Sequence, residues 1–417
     1  MNATSGGTHS AARRARRILV LSQFYPPEPC AAANRVSALA EALAERGHDV
    51  TVLTGMPNFP AGRIEPGYAG ALFRRERRGA VAVERVWTLV RGRLATWGSV
   101  AFGATVRALF SARYDAIVVS SPPITLALPA LVAKLRHRAP LIVDVRDVFP
   151  DVAVEMGEWK RDGLLARSVG AIAALLYRTA RVVVCVTPSA RAEITARAAG
   201  SHPLLAPNGF DAIALAPEPA LAAEPGAFVA AYVGNMGLAT GLDVVLDAAM
   251  QLAGDPRFRF VLVGAGADAE RLARRIADEG LHNVRMLGVL PRPTALRVVA
   301  DADVCLVPLR STITDSLPTK LFDAMFVSRP AIVSAGGEAR RVLEESGGGI
   351  AVPPGDGPAL AGALRTLAAD PALCARMGAS GNTYVNEHYD RARIMRALAA
   401  QIELAAAAQP AALRAST

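Results

Sequence analysis

A chain of 417 residues exceeds what one hydrophobic core usually fills, so two domains are expected. Its net charge of +9, from 46 basic and 37 acidic residues, comes from arginines scattered along both halves with few aromatics among them, which argues against a nucleic-acid groove. The chain has no run of roughly 20 apolar residues, so no spanning helix is expected.

Residues 1–16 are mostly Ser, Thr, Gly, Ala and Arg, with no apolar h-region behind them. They read as a disordered basic tail and not as a signal peptide. Cys30, Cys185, Cys305 and Cys374 include no C-x-x-C pair and read as reduced thiols of a cytoplasmic protein. The six histidines form no H-E-x-x-H or other ligand cluster, so no metal site is expected.

Arg17–Ser22 is a continuous apolar run ending in a small polar residue, the pattern of a buried parallel strand. A Pro-rich loop from Gln23 leads to an amphipathic helix, Val36–Arg46, which Gly47 ends; Asp49–Thr54 is the next strand. Strand, loop, helix and strand make a βαβ unit, in which ligands gather at the carboxyl ends of strands. That makes the loop carrying Glu28, Asn34 and Arg35 a candidate site wall. Met56–Gly70 reads as loop and Ala80–Trp87 as strand. Arg91–Arg113 carries Leu94, Trp97, Phe102, Val106, Leu109 and Phe110 at helical spacing among arginines. Packing on the sheet is the simpler reading of this helix; lying on a membrane surface is the other.

Tyr114–Pro123 reads as strand then loop, Ile124–Arg136 as helix, Leu141–Val145 as strand, Leu164–Arg181 as helix and Val182–Thr187 as strand. Arg146 and Asp147 stand at the carboxyl end of the Leu141 strand, placed either for chemistry or for a loop-holding ion pair. Residues 17–211 form the first expected domain and 212–226 a Pro/Ala-rich linker; 227–391 form the second domain, 392–407 a last helix and 408–417 a disordered tail. The second domain opens with the strand Phe228–Gly234 and a loop bearing Asn235, Gly237 and Gly241, then the helix Leu242–Leu252. Phe258–Val263, Val284–Leu287, Val304–Val307 and Ala331–Ser334 are four more strands.

Some motifs lead nowhere. Gly264-Ala-Gly266-Ala-Asp-Ala269 satisfies G-x-G-x-x-A, but the following strand ends at Gly288 without the acid a nicotinamide enzyme needs. Asp301-Ala-Asp303 precedes a strand, the wrong end for a ligand site, and reads as a connecting loop. P-loop and G-x-S-x-G patterns are missing. In Asp315-Ser-Leu-Pro-Thr-Lys-Leu-Phe-Asp323, two acids flank a helix entry at Pro318 and Thr319, with Lys320 in the first turn. The helix dipole disfavours a cation there unless an anion binds beside it.

Phe24-Tyr-Pro-Pro-Glu-Pro29, Asn34-Arg35, Gly47–Thr54, Ser121-Pro-Pro123, Arg146-Asp147, Pro207-Asn-Gly209, Gly234-Asn-Met-Gly237 and Pro318-Thr-Lys320 occur in that order. Over about residues 17–400 the chain thereby resembles the GT4 family of retaining, nucleotide-sugar-dependent glycosyltransferases, in the branch of bacterial colanic-acid and O-antigen enzymes such as fucosamine transferases. The resemblance implies an α/β GT-B architecture: two Rossmann-like domains facing across a cleft, with the last helix crossing back to the first. It implies no cofactor and no bound metal, a nucleoside-diphosphate sugar as donor, and a polyprenyl-diphosphate-linked or oligosaccharide acceptor. It also implies a cytoplasmic enzyme of surface-polysaccharide synthesis with access to the membrane face.

By the same resemblance Asp315 meets the donor sugar and Asp323 the ribose, where the family carries two Glu residues, each one methylene longer. Lys320, with Thr319 and Leu321 beside it, takes the diphosphate, helped by Gly234, Asn235 and Gly237, a loop that here lacks the family's cations. Gly288, Val289 and Leu290 take the base. Arg146 and Asp147 face the sugars, and Glu28, Asn34 and Arg35 lie on the acceptor side. A nucleotide-sugar 2-epimerase of the same fold and a non-catalytic nucleotide-sugar-binding subunit are the rival functions.

Overall fold

A computed structural model describes residues 14–155, 157–222, 224–313 and 316–407. Asp315 and both expected terminal tails, apart from residues 14–16, lie outside them. The first sheet is built from β1 (Arg17–Leu21), α1 (Ala31–Glu45), β2 (Asp49–Gly55), β3 (Phe73–Arg78), β4 (Val81–Val86), α2 (Arg93–Phe110), β5 (Ala116–Ser121), α3 (Ala127–His137), β6 (Leu141–Val145), α4 (Asp151–Glu155), α5 (Leu164–Thr179), β7 (Val182–Cys185), α6 (Pro188–Arg197) and β8 (Leu204–Leu205). Its strand order is β3-β4-β2-β1-β5-β6-β7-β8. The described pairings among β4, β2, β1, β5 and β6 are parallel, and these strands are buried almost throughout. That burial explains why they read as plain apolar runs.

The exception is β3, Phe-Arg-Arg-Glu-Arg-Arg, an exposed antiparallel edge strand. Charge on an edge strand discourages pairing with another chain. Here it also ties the strand inward: Arg75 pairs with Glu84 of β4, and Arg85 of β4 with Glu76. Arg107 of α2 completes the cluster on Glu84 at 2.6 Å.

The second sheet uses β9 (Phe228–Val233), α7 (Asp243–Gln251), β10 (Phe258–Val263), α8 (Ala269–Asp278), β11 (Val284–Gly288), α9 (Arg292–Asp301), β12 (Val304–Pro308), α10 (Thr319–Phe326), β13 (Ala331–Ser334), α11 (Gly337–Ser346), β14 (Gly349–Val352), α12 (Gly357–Ala369), α13 (Pro371–His388) and α14 (Arg391–Ala407). Its order is β11-β10-β9-β12-β13-β14, with parallel pairing throughout. One apolar cluster includes Leu246, Phe260 and Leu364, and a second includes Val299, Leu321 and Leu343. The neighbouring strand residues Val261 and Leu262 belong to different clusters, as alternation across a doubly covered sheet requires.

The chain divides into two units. One contains the described residues up to Arg146, Ile172–Val184 and those from Met395 onward; the other contains Asp147–Ala171 and Cys185–Ile394. This division differs from the boundaries expected at 211 and 227. The connecting segment is anchored in the second unit, because Asp301 accepts the amides of Ala220 and Leu221. Asp303 likewise accepts the amide of Val229 at 2.7 Å, so the two acids of the D-x-D sequence serve as backbone anchors. From Met395, α14 belongs to the first unit, where Arg46 pairs with Glu403.

Candidate functional site

In the second sheet the strand order reverses between β9 and β12: β10 and β11 continue to one side, β13 and β14 to the other. Ligands bind open α/β sheets at such a switch point, beyond the carboxyl ends of the strands. Three glycines stand at those ends, Gly234 after β9, Gly264 after β10 and Gly288 closing β11. The amide of Gly234 donates to Val263 O, and that of Gly264 to Gly288 O at 2.7 Å. A Cβ on Gly264 would lie 1.9 Å from Gly234 O, and one on Gly266 would lie 2.4 Å from Met236 O. The G-x-G sequence thus lets the 234–237 loop pass against the neighbouring strand end.

Lys320 reaches this place from the first turn of α10, whose N-cap, Pro318, provides no side-chain cap. A Cβ on Gly234 would meet Lys320 Cε at 3.2 Å, so a glycine makes room for the lysine. Nζ donates to Tyr232 Oη at 2.9 Å, and Tyr232 Oη donates to Asn235 O at 2.6 Å. Burial pushes the Lys320 ammonium down to about 8, against the upward pull of Cys305 and Asp323. Tyr232 is a residue the sequence reading missed. Its signal was a phenol at the end of an otherwise apolar strand, where a buried hydroxyl needs a partner.

Asp323 is buried, 7% exposed, and both carboxylate oxygens are held by the Arg292 guanidinium; one bond measures 2.9 Å and the other is shorter. Arg292 is also new. It opens α9 just past the Gly288–Leu290 turn, and its side chain is half exposed. Asp323, expected to meet the ribose, is thus engaged on both oxygens by Arg292. Asn235, Thr319, Gly288 and Val289 are exposed, while Gly237 and Leu290 are half-buried. Leu321 is corrected: its side chain is fully buried and its amide donates to Pro318 O, so it serves the core. Arg310, just past β12, is exposed and packs beside Gly241, where a Cβ would meet Arg310 Cγ at 3.4 Å; it is a cation next to a loop that has none of its own.

The first sheet reverses between β1 and β5. Arg146 lies at that carboxyl edge, donating to Ser120 Oγ at 3.1 Å and to Pro122 O at 2.6 Å. Asp147 follows it and is exposed. Asn34 is exposed, but two acceptor-side residues are corrected. Arg35 is 0% exposed and forks Asp144 at 2.8 and 2.7 Å, a buried pair joining α1 to β6. Glu28 is 3% exposed and accepts the amides of Tyr25, Asn58 and Phe59, which pins two loops together. Burial raises the Glu28 carboxyl above its usual range despite those three donors. Nearby in the same loop, Gln23 has both amide atoms buried without a hydrogen-bond partner among the described residues.

Glycine-lined strand ends at a switch point, with a lysine held over the loop, are the arrangement at which open α/β sheets take phosphorylated ligands. Family profiles match on both halves: a glycosyl transferase 4-like domain over residues 31–209 and glycosyl transferases group 1 over residues 227–370. WcaI of Escherichia coli K12, named as a putative colanic acid biosynthesis glycosyl transferase, is 26% identical over 76% of this chain and 83% of its own length. WbjE of Pseudomonas aeruginosa, named as a probable glycosyltransferase, is 26% identical over 52% of this chain, an alignment that spans 57% of WbjE. Among solved structures, sucrose-phosphate synthase of Thermosynechococcus elongatus superposes with a TM-score of 0.73 at 20% identity, covering 94% of this chain and 100% of that one. HepE of Anabaena, solved with UDP-glucose, superposes with a TM-score of 0.66 at 18% identity, covering 93% and 100%. The fold is GT-B, and the chain belongs to the group 1, GT4-like glycosyltransferases.

Proposed function

We propose that this glycosyltransferase moves a sugar from a nucleoside-diphosphate donor to a polyprenyl-diphosphate-linked or oligosaccharide acceptor in surface-polysaccharide synthesis, at the cytoplasmic membrane face and with retention at the anomeric carbon. The observation that carries the reading is Lys320, a partly desolvated ammonium held by Tyr232 against Gly234 at the switch point. A diphosphate would supply a full counter-charge to this ammonium, and the amides of the 234–237 loop and the α10 terminus could share the work. As the bond to the sugar breaks, charge grows on the leaving diphosphate, where a preorganised cation acts most strongly. Arg292 and Arg310 add positive charge, and Asp323 orients Arg292 toward the ribose side. Asp315 is assigned to the donor sugar, and Arg146 and Asp147 to the reacting sugars. The name of WcaI, which places it in colanic acid biosynthesis, and the UDP-glucose held by HepE support this choice of substrates.

The test begins with thermal shifts across UDP-, GDP- and dTDP-sugars, since a ligand of the folded state raises its melting temperature. The stabilising donor is then incubated with mixed lipid-linked acceptors, and the anomeric proton of the product is read by NMR. Transfer with the donor's configuration kept is expected. An inverted product refutes retention. Donor interconversion without an acceptor would point to an epimerase, and binding with neither transfer nor hydrolysis to a donor-binding subunit.

A further inference from the structure

The helices α2, α3 and α5 follow β4, β5 and β6, so right-handed crossovers place all three on one face of the first sheet, opposite α1. They lie side by side. Arg136 of α3 donates to Leu109 O of α2, and Lys134 of α3 donates to Thr179 O of α5 at 2.5 Å.

On α2 and α3 the apolar residues are distributed the wrong way round for an ordinary surface helix. On α2 the buried face is small, with Ala101, Ala104 and Ala108, while Leu94 is 68%, Phe102 68% and Phe110 79% exposed. On α3, Ala127, Ala130 and Ala133 face inward and Leu135 is 77% exposed. On α5, Leu176 and Tyr177 are buried beside Ala173 and Ala174, while Ile172 at 42% and Leu175 at 50% still stand out. A soluble surface seldom presents so many large apolar side chains on adjacent helices.

Charge on this layer is one-sided. The three helices contain not one Asp or Glu; they carry Arg93, Lys134, Arg136 and Arg178, besides Arg107, which Glu84 engages. By contrast, α1 carries Glu41 and Glu45 and α14 carries Glu403. At the far end of the layer a groove of about 580 Å³ is lined by Lys134, Arg138, Arg181 and Leu135, among others. Among the described residues, no helix is long and apolar enough to cross a membrane.

We propose that the outer face of α2, α3 and α5 docks on an anionic lipid bilayer, its phenylalanines and leucines entering the headgroup boundary while its arginines meet lipid phosphates. Apolar area and basic charge on one face are the two terms that hold an interfacial helix on such a surface. A second copy of the chain fits poorly, because a two-fold contact would set these three helices, which carry no Asp or Glu, against themselves, arginine to arginine. The proposal places the membrane-side acceptor of the functional reading on one side of the enzyme, but its test uses neither donor nor acceptor, so either can fail alone.

The full chain is floated with vesicles of phosphatidylethanolamine and phosphatidylglycerol and, separately, of phosphatidylcholine alone, at low and high salt. Binding is expected on the anionic vesicles, at least about ten-fold tighter than on phosphatidylcholine, and weakened by salt. The double variant Phe102→Ser/Phe110→Ser should lower the partition coefficient by at least about ten-fold. Arg93→Gln/Arg136→Gln should reduce binding on anionic vesicles and leave the weak phosphatidylcholine binding as it was. Circular dichroism melts show that each variant is folded; if the phenylalanine pair is not, Leu94→Ser/Leu135→Ser takes its place. The proposal is overturned if the wild type does not bind, if it binds both vesicle types equally, if folded variants bind as wild type, or if the wild type forms a concentration-dependent dimer that Phe102→Ser/Phe110→Ser dissolves.

Discussion

Lys320→Met separates the charge of the lysine from its packing. The methionine keeps an unbranched apolar stem beside Gly234 and Tyr232 and removes the ammonium that donates to Tyr232 Oη. Burial takes this ammonium from an ordinary value of 10.5 to about 8, so the folded chain without donor holds a proton at a cost. At about 1.36 kcal/mol per unit the full cost is on the order of 3 kcal/mol, and partial solvation of the side chain reduces it to on the order of 1–2 kcal/mol. Below pH 8 both folded and unfolded lysines are charged and the whole penalty is present. Between pH 8 and 10.5 the folded lysine gives up its proton while the unfolded one keeps it, and the penalty fades. Lys320→Met should therefore melt higher than wild type at pH 7, with the gap closing by pH 10.5. Donor affinity should move the other way. Losing a charge-assisted bond of about 1.5–3 kcal/mol weakens donor binding roughly 10- to 150-fold. Above pH 8 the wild type must take up a proton to bind, so its affinity should fall by up to about ten-fold per pH unit, while the variant's stays flat. Melting scans without donor and calorimetric donor titrations from pH 7 to 9.5 read both effects. A variant that melts lower at pH 7, or that binds donor like wild type, refutes the phosphate assignment.

Arg292→Ala strips the buried Asp323 carboxylate of its fork. We expect a loss of about 1–3 kcal/mol in stability with weaker donor binding, and only partial rescue by Arg292→Lys, which cannot bond bidentately; urea melts and donor titrations read both. Gly264→Ala sets a methyl where Gly234 O now stands, so it should destabilise the second unit by roughly 3 kcal/mol or more and impair donor binding even where the variant folds. Arg35→Ala leaves Asp144 buried and unforked, and a loss of about 3–5 kcal/mol in urea melts is expected. If Arg35 instead touched the acceptor, this variant would keep its stability and raise the acceptor KM alone.

The parallel strands were legible because burial on both faces leaves nothing but apolar residues in a run, as in Ile18–Leu21 or Val304–Val307. Phe73–Arg78 was not, since an edge strand stabilised by cross-strand ion pairs has no alternation of apolar residues to detect. Gly349–Val352 was missed for its brevity, four residues opening on a glycine. The helix entry at Pro318 was readable from local chemistry, whereas the roles of Arg35 and Asp323 were not. Their partners lie 109 and 31 positions away in the chain, and only the topology of the sheets brings them together.

Two departures from the family pattern, an aspartate in place of the second glutamate and a β9 loop without cations, meet in one contact. Position 323 needs to bring a carboxylate only as far as Arg292, which opens α9 and is itself half exposed. A glutamate there would push its carboxylate one methylene further, into the space the guanidinium fills. The shorter acid and the arginine are thus sterically matched, and the exposed group the pair presents is the guanidinium. In the proposed reading the positive charge absent from the 234–240 loop is restored from α9, with Lys320 on α10 supplying the rest. That exchange carries a cost in pairing geometry. A bidentate guanidinium is held in plane by both carboxylate oxygens, so Arg292 can turn toward a ribose hydroxyl or a phosphate only through the N–H groups that Asp323 does not use.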